Sequence, residues 1–162
     1  MKGSATVHVA APPERVWALV SDVTQIGRFS PETFEAEWLD GATGPAVGAP
    51  FRGHVRRTGW WGLKYWVKCT VVASEPGREF TFVVGTPKNW VNKWSYRLEP
   101  SGTGTDVTES FELVDKRVMR LYWKLAGKGR GRTNEDGMRQ TLERVKAAAE
   151  AEAPGSGPTS SG

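Results

Sequence analysis

Cysteine and histidine are scarce in this 162-residue chain, and their scarcity excludes several kinds of site. One cysteine, Cys69, cannot form an internal disulfide framework or a cysteine-rich zinc site. The two histidines, His8 and His54, add too few ligands for a metal centre built from histidine and cysteine. We therefore expect neither a metal ion nor a cofactor.

Long apolar runs are also missing. The longest uninterrupted runs span a few residues, whereas a membrane-spanning helix needs roughly 20. The first nine residues, Met1–Val9, contain no apolar stretch of the kind that secretory signal peptides carry. The cytoplasm is the expected location.

Aromatic residues, in contrast, are abundant, with 8 Trp, 6 Phe and 3 Tyr. They need a large apolar interior, or a cavity, to receive them. Charged residues make up 25% of the chain and hydrophobic residues 38%, which is typical of a folded domain and not of a disordered chain.

The net charge is +4, and the basic residues concentrate in 52–68 and 116–132. Such clusters permit contact with nucleic acid or an anionic membrane, but a solvated face explains them more simply. We expect no nucleic-acid partner, leave transient membrane contact open, and expect a monomer or a homodimer.

The order of periodic segments predicts one domain over residues 1–152. Residues 4–10 alternate like a strand, Pro12 and Pro13 suit the start of a short helix, and Asp22 can cap a second one that ends before Pro31. Period-two alternation then predicts six strands, at 33–39, 49–57, 64–74, 78–85, 90–99 and 105–114. Helical spacing follows at 118–125 and again in a long helix over 133–152. Residues 153–162 are rich in Gly, Ser and Pro, and we expect a flexible tail.

Short turns between consecutive strands predict an antiparallel meander with one apolar face. The opposite register carries polar side chains, among them Arg52, His54 and Arg56. An apolar sheet face must be covered, and the long C-terminal helix is the element long enough to cover it. The predicted fold class is therefore α+β.

Six segments carry a resemblance to a known superfamily: Ala11–Asp22, Val47–Gly53, Glu75–Arg78, Tyr96–Pro100, Gly104–Ser110 and Gly137–Lys146. In their order and spacing they resemble the SRPBCC (START and birch-pollen-allergen-like) superfamily, in particular its bacterial polyketide cyclase/dehydratase-like branch. The resemblance implies a helix-grip fold, in which a seven-stranded antiparallel sheet curves around a long C-terminal helix, with two short helices between strands 1 and 2. It also implies a deep apolar cavity between sheet and helix. Members bind lipids, steroids, polyketides or plant hormones, and some catalyse cyclisation or dehydration.

Glu109 is the most informative single residue. It shares the apolar register of Val107 and Phe111, and a hairpin through Gly102 would set it across from Tyr96 or Trp94. A carboxyl group in an apolar cavity loses hydration, so its pKa rises and it can act as a general acid or base. The alternative is a strand that ends or bulges early, which would leave Glu109 hydrogen-bonded at the cavity rim.

The expected ligand contacts come from the apolar register of the strands and from the helices: Phe51, Tyr65, Phe82, Trp94, Tyr96, Phe111, Tyr122, Met138 and Leu142. Hydroxyl groups of the tyrosines could orient a polar ligand group, although core packing explains each tyrosine singly. Trp60–Trp61, between two glycines, suggests a lid or a contact with a membrane or partner. The basic segment Lys116–Lys124 could likewise lie on an anionic membrane or gate the cavity.

Three functions remain open at this stage. The first is binding of a small hydrophobic, aromatic or polycyclic ligand that is polyketide- or lipid-like. The second is an enzyme of the polyketide cyclase/dehydratase type that uses Glu109 and a tyrosine as acid and base. The third is a peripheral lipid-binding module.

Overall fold

The computed structural model describes residues 2–56, 62–114 and 130–151 and, in the last range, the side chains from residue 135 onward. Four predicted features lie outside these residues: the helix at 118–125, the tail at 153–162, the Trp60–Trp61 loop tip and the basic segment Lys116–Lys124. Tyr122, an expected ligand contact, lies outside them as well.

Seven antiparallel strands form one sheet in the order β1-β7-β6-β5-β4-β3-β2. Every pair of neighbouring strands is joined by an antiparallel ladder, which confirms the predicted meander. Their bounds are β1 Lys2–Val9, β2 Thr33–Trp38, β3 Pro50–Arg56, β4 Lys64–Glu75, β5 Glu79–Thr86, β6 Asn89–Ser101 and β7 Gly104–Leu113.

Two short helices lie between β1 and β2, as expected. Helix α1, Pro13–Ser21, begins directly after Pro12, because proline pre-sets the helical φ and lacks the N–H that a first helical turn leaves unbonded. Asp22 then accepts a hydrogen bond from the backbone N–H of Thr24 and caps a 3-10 turn, Val23–Gln25. Helix α2, Ile26–Phe29, follows and ends at Ser30, before Pro31.

The long C-terminal helix α3, Arg130–Ala151, crosses the concave face of the sheet. Its buried residues recur every three or four positions, which is one face of a helix: Met138, Leu142, Val145 and Ala149. Two polar contacts fix its end against the end of β1. Lys146 donates to the carbonyl of His8 over 2.7 Å, and the Glu150 carboxylate accepts from the backbone N–H of Ala10 over 2.9 Å. The helix therefore packs most closely on β1, toward one edge of the sheet.

Most boundaries differ from the predicted ones by one to three residues; β1, for example, begins at Lys2 and not at residue 4. Strand β6 continues through Pro100 to Ser101, because a two-residue turn at Gly102–Thr103 closes the hairpin and Gly102 takes up a φ of +59° there. Helix α3 begins at Arg130, three residues before the predicted start at Thr133.

Candidate ligand-binding cavity

A cavity of about 560 Å³ lies between the concave face of the sheet, α2 with the loop that follows it, and α3. Because α3 packs toward β1, the inner faces of β3, β4 and β5 contribute wall rather than helix contact. Its volume falls in the range of sites that enclose a small organic molecule. The sheet-side wall is formed by residues of strands β2 to β7, among them Phe51, Val67, Phe82, Trp94 and Glu109.

The aromatic part of the wall is held rigidly by ring contacts. The rings of Phe51 and Phe82 meet edge to face with centroids 5.1 Å apart, and the Trp94 and Phe111 rings lie 5.6 Å apart. Edge-to-face and tilted pairs are favoured arrangements for aromatic rings. The wall therefore presents closely packed aromatic surfaces to a ligand.

Most of the expected contact residues reach the wall. The cavity is lined by Phe51, Tyr65, Phe82, Trp94, Tyr96, Glu109 and Met138. Two others lie in the core beside it, not on its wall: Phe111 and Leu142. The Phe111 ring leans over Gly3 of β1, where an added Cβ would lie 2.6 Å from its Cε1 atom, and so it turns away from the cavity. Leu142 lies one turn beyond Met138 on the buried face of α3.

Glu109 lies inside the cavity, and the alternative placement at a rim does not occur. Its strand continues past it to Leu113, and the register places it directly opposite Tyr96. The Glu109 side chain is only 4% exposed. The Tyr96 hydroxyl donates a hydrogen bond of 2.9 Å to Oε1, while Oε2 is buried and has no hydrogen-bond partner among the described residues.

Burial controls the protonation of this pair. Loss of hydration raises the pKa of Glu109 to about 8, although the hydrogen bond from Tyr96 works in the opposite direction. Burial also raises the pKa of Tyr96 well above its ordinary value, with the neighbouring carboxyl group adding to the effect. At neutral pH the pair is therefore a tyrosine hydroxyl bonded to a neutral carboxylic acid, which offers one free O–H at Oε2.

Two other polar side chains on the wall, Thr141 and Cys69, are not available in the same way to a ligand. Thr141 satisfies its own hydroxyl by donating to the carbonyl of Gly137, one turn earlier in α3. Burial raises the pKa of the Cys69 thiol to about 12, so the thiol stays protonated and is a weak nucleophile.

Asn92 is a wall residue that sequence reasoning did not single out. Its Oδ1 atom is buried, and no hydrogen-bond partner for it is found in residues 2–56, 62–114 and 130–151. The ladder between β5 and β6 shifts register after the Val84–Asn92 pair, so that Gly85 pairs with Trp90 and Val91 is the extra residue. Such a bulge re-aims side chains, and here the consecutive residues Val91 and Asn92 both reach the wall. The available signal was that Asn92 shares the period-two register of Trp94 and Tyr96.

One end of the cavity, which we call the rim, lies where β3 ends and β4 begins. Exposed wall residues gather there, namely Arg56, Tyr65 and Val91, with exposed Leu63 beside them. Val55 and Arg56 both border the cavity at this strand end. The Arg56 guanidinium nevertheless lies over the Phe34 ring, which packs against His54, so its side chain reaches the outer side as expected. Arg52 and His54 do lie on the outer side, where they pair with Glu37 and Glu35.

Neither a metal cluster nor a membrane-spanning helix is found in the described part of the chain. No three carboxylate, histidine or cysteine side chains converge there as a cation site would require. None of the helices in residues 2–56, 62–114 and 130–151 is long and apolar enough to cross a bilayer.

A curled seven-stranded sheet, a long closing helix and an apolar cavity between them define the helix-grip class of proteins. The chain belongs to the family described as polyketide cyclase / dehydrase and lipid transport, whose model matches residues 1–150. The expected membership of the SRPBCC superfamily is thereby confirmed.

Solved structures share this fold. Protein DR_A0006 from Deinococcus radiodurans superposes with a TM-score of 0.67 at 17% identity, over 94% of this chain and 100% of that one. Protein MLL2253 from Mesorhizobium loti gives a TM-score of 0.65 at 18% identity, over 95% and 100% of the two chains. The Polyketide_cyc-like protein Cgl2372 from Corynebacterium glutamicum is 30% identical, with a TM-score of 0.52 over 92% and 85%. No curated protein matches the sequence.

Proposed function

We propose that this protein binds a small, hydrophobic, aromatic or polycyclic ligand, polyketide- or lipid-like, in the cavity between sheet and α3. The observation that carries the proposal is a cavity of about 560 Å³ whose wall is largely apolar and holds one buried carboxyl group with a free oxygen. Apolar walls supply affinity, and a few placed polar groups orient the ligand. The family's description, which includes lipid transport, agrees with this function.

The test is to fill the cavity and measure binding. The variant Val84→Phe enlarges a wall residue on β5. The matched control, Val47→Phe, enlarges an exposed residue just before β3, at the end of that strand away from the rim. Native mass spectrometry of the freshly purified protein reveals a co-purified ligand, and quenching of tryptophan fluorescence measures rebinding. We expect Val84→Phe to weaken binding by at least tenfold while Val47→Phe binds like the parent protein. Equal binding by both variants would place the ligand elsewhere.

A second candidate function is acid–base catalysis of the polyketide cyclase/dehydratase type. The observation that favours it is the neutral Glu109 carboxyl group beside Tyr96 in an apolar cavity. In a dehydration, Glu109 would give its proton to a leaving hydroxyl group, which departs as water. The carboxylate would then take the proton that the adjacent carbon loses as the double bond forms, which restores the acid.

A β-hydroxy ketone is the probe for this chemistry, with appearance of the conjugated ketone as the readout. Glu109→Gln keeps the shape and the hydrogen bond from Tyr96 but removes the titrating proton. If Glu109 is the catalytic residue, turnover falls by about 10²–10⁴ while affinity changes little. Binding without turnover in the parent protein would leave binding as the whole function.

A third candidate is transient docking on an anionic membrane through the rim. Exposed apolar side chains lie there, at Leu63 and Val91, beside the cations Arg56, Lys64 and Lys88. Apolar insertion combined with basic charge is the pattern that binds anionic lipid surfaces. A ligand could then pass between bilayer and cavity without crossing water.

Sedimentation with vesicles tests the docking. We expect the protein to sediment with phosphatidylcholine vesicles that contain phosphatidylserine, less so as salt is raised, and not with phosphatidylcholine alone. Leu63→Asp should abolish sedimentation, whereas Val47→Asp, at the opposite end, should not. A cytoplasmic location and a monomeric or homodimeric state stay predictions from the sequence.

A further inference from the structure

Two buried polar atoms on the cavity wall lack a partner within the described chain. They are Oε2 of Glu109 and Oδ1 of Asn92. Buried polar groups in folded proteins are nearly always hydrogen-bonded, so each exception calls for a physical reason. Both atoms belong to side chains that line the same cavity, and a ligand in that cavity would supply both missing partners.

The two atoms lie toward different ends of the cavity. Asn92 and Tyr96 are four residues apart on the same face of β6, which corresponds to about 13 Å along the strand. Glu109 pairs with Tyr96 across the β6–β7 ladder, so it lies at the Tyr96 end of that interval. Trp94 lies between them on the same face and lines the cavity. The wall thus has a polar group at each end and a flat apolar surface in the middle.

The two ends differ in hydrogen-bonding character. At the Tyr96 end, Oε1 of Glu109 already accepts a hydrogen bond from Tyr96, and burial keeps the carboxyl group protonated at neutral pH. Its free position is therefore an O–H donor, which needs an acceptor on the ligand. At the other end, Oδ1 of Asn92 is an acceptor, which needs a donor on the ligand.

We propose that the cavity selects an elongated, neutral ligand with a hydrogen-bond acceptor such as a ketone at one end and a hydroxyl donor at the other, joined by a fused-ring skeleton. The acceptor binds Glu109, the skeleton lies on Trp94, and the hydroxyl donates to Asn92. Asn92 is thus a binding residue that recognises the outer end of the ligand. This inference rests on the proposed binding function.

Two steroids of equal length serve as probes for the spacing. Testosterone has a ketone at one end and a hydroxyl at the other, whereas androstenedione has ketones at both ends and cannot donate to Asn92. Quenching of tryptophan fluorescence at pH 7 gives both affinities. We expect the parent protein to bind testosterone about tenfold more tightly, because a lost hydrogen bond leaves the Asn92 oxygen unpaired.

The variant Asn92→Leu removes the acceptor and should make the two affinities equal. Lys93→Leu changes the next residue, which lies on the opposite register of β6, and should retain the tenfold preference. A preference that survives in Asn92→Leu would overturn the assignment. Equal binding of both steroids by the parent protein would also overturn it, while leaving the binding function intact. Failure of the parent protein to bind either steroid would count against the polycyclic ligand class and this inference together.

Stability of the ligand-free protein provides a readout that does not depend on the probes. Replacing an amide whose buried oxygen has no partner by an apolar side chain of similar size should raise the unfolding temperature. Asn92→Leu is therefore expected to be more stable than the parent protein when no ligand is present. A lower unfolding temperature, or failure to fold, would mean that the amide is needed by the protein itself, which contradicts a role reserved for the ligand.

Discussion

Glu109 is the residue whose protonation depends most on its surroundings in the fold. Alternation along β7 places it on the inner register between Val107 and Phe111, and its neighbours there are buried and apolar. The basic residues of the adjoining strand that are nearest in register, Lys93 and Arg97, pair with Glu112 and Thr108 instead. With no cation beside it in the described part of the chain, burial is the dominant influence on its pKa.

The raised pKa predicts an unusual pH dependence of stability. Below about pH 4.5 the group is protonated in both states, so it adds no pH dependence. Between pH 4.5 and about 8 the unfolded chain has released its proton while the folded protein keeps it, so rising pH favours the unfolded state. The free energy of unfolding should fall by up to about 1.4 kcal/mol per pH unit in this window. Above about pH 8 both states are ionised and the loss is complete.

Urea unfolding at several pH values checks this behaviour against Glu109→Gln. The difference in unfolding free energy between the variant and the parent protein should grow in favour of Gln from pH 5 to pH 8. The control is Glu99→Gln, an exposed carboxylate on β6. Its difference from the parent should stay constant over the same range. A constant difference for Glu109→Gln as well would show that its carboxyl group is not desolvated.

At the scale of single elements, the position of the short helix α2 depends on a close contact between Gly27 and the backbone of β2. A methyl group added at Gly27 would lie 2.0 Å from the carbonyl oxygen of Phe34 in β2, so glycine is what allows helix and strand to touch. The contact brings Ile26 and Ser30 onto the cavity wall opposite the sheet.

Gly27→Ala is expected to destabilise the protein and loosen the cavity. Alanine gains about 1 kcal/mol in helix propensity, but overpacking against a backbone atom costs about 1–3 kcal/mol or more, so the clash wins. Gly44→Ala is the matched control, because an added methyl group there has no neighbour within 4 Å. Thermal unfolding and ligand titration should both change in Gly27→Ala and neither in Gly44→Ala. Unchanged stability in Gly27→Ala would mean that α2 shifts freely.

The strands also show which structural features the sequence predicts and which it does not. Strict alternation predicted the strands and placed Glu109 on the inner register, opposite Tyr96 or Trp94, and the observed ladder pairs it with Tyr96. It failed at bulges and strand ends. A bulge at Val91 changes how the start of β6 faces the cavity, and a register shift between Thr33 and Glu35 turns the Phe34 ring toward His54 on the outer side. These irregularities depend on twist and on neighbouring strands, so no local residue pattern reveals them.

At the scale of the whole molecule, the position of α3 decides where the cavity lies. Its contacts with β1 draw it toward one edge of the sheet, and the space left over β3, β4 and β5 becomes the cavity. The choice of contact residues from sequence could not include this asymmetry. Phe111, next to β1, and Leu142, on the buried face of α3, therefore lie in the core and not on the cavity wall. An apolar sheet face predicts that a helix covers it, but not which of the strands that helix covers.

Ligand affinity and protonation of Glu109 should be linked, because the carboxyl group that titrates is also the one that binds the ligand in the cavity. A ligand that accepts a hydrogen bond from the neutral carboxyl group binds the protonated protein better, so binding raises the pKa of Glu109 further. Affinity should be constant below about pH 8 and fall as much as tenfold per pH unit above it, since the proton must first be restored.

Titration with testosterone, which does not ionise in this range, measures the effect directly. From pH 6 to 7.5 the dissociation constant should be level, and from pH 8 to 9.5 it should rise. Glu109→Gln should remove the rise, because its amide keeps a donor at every pH, while Glu99→Gln should retain it. A rise that persists in Glu109→Gln would assign the titration to another group. A dissociation constant that is level in the parent protein across the whole range would mean that the ligand does not use the acid proton of Glu109.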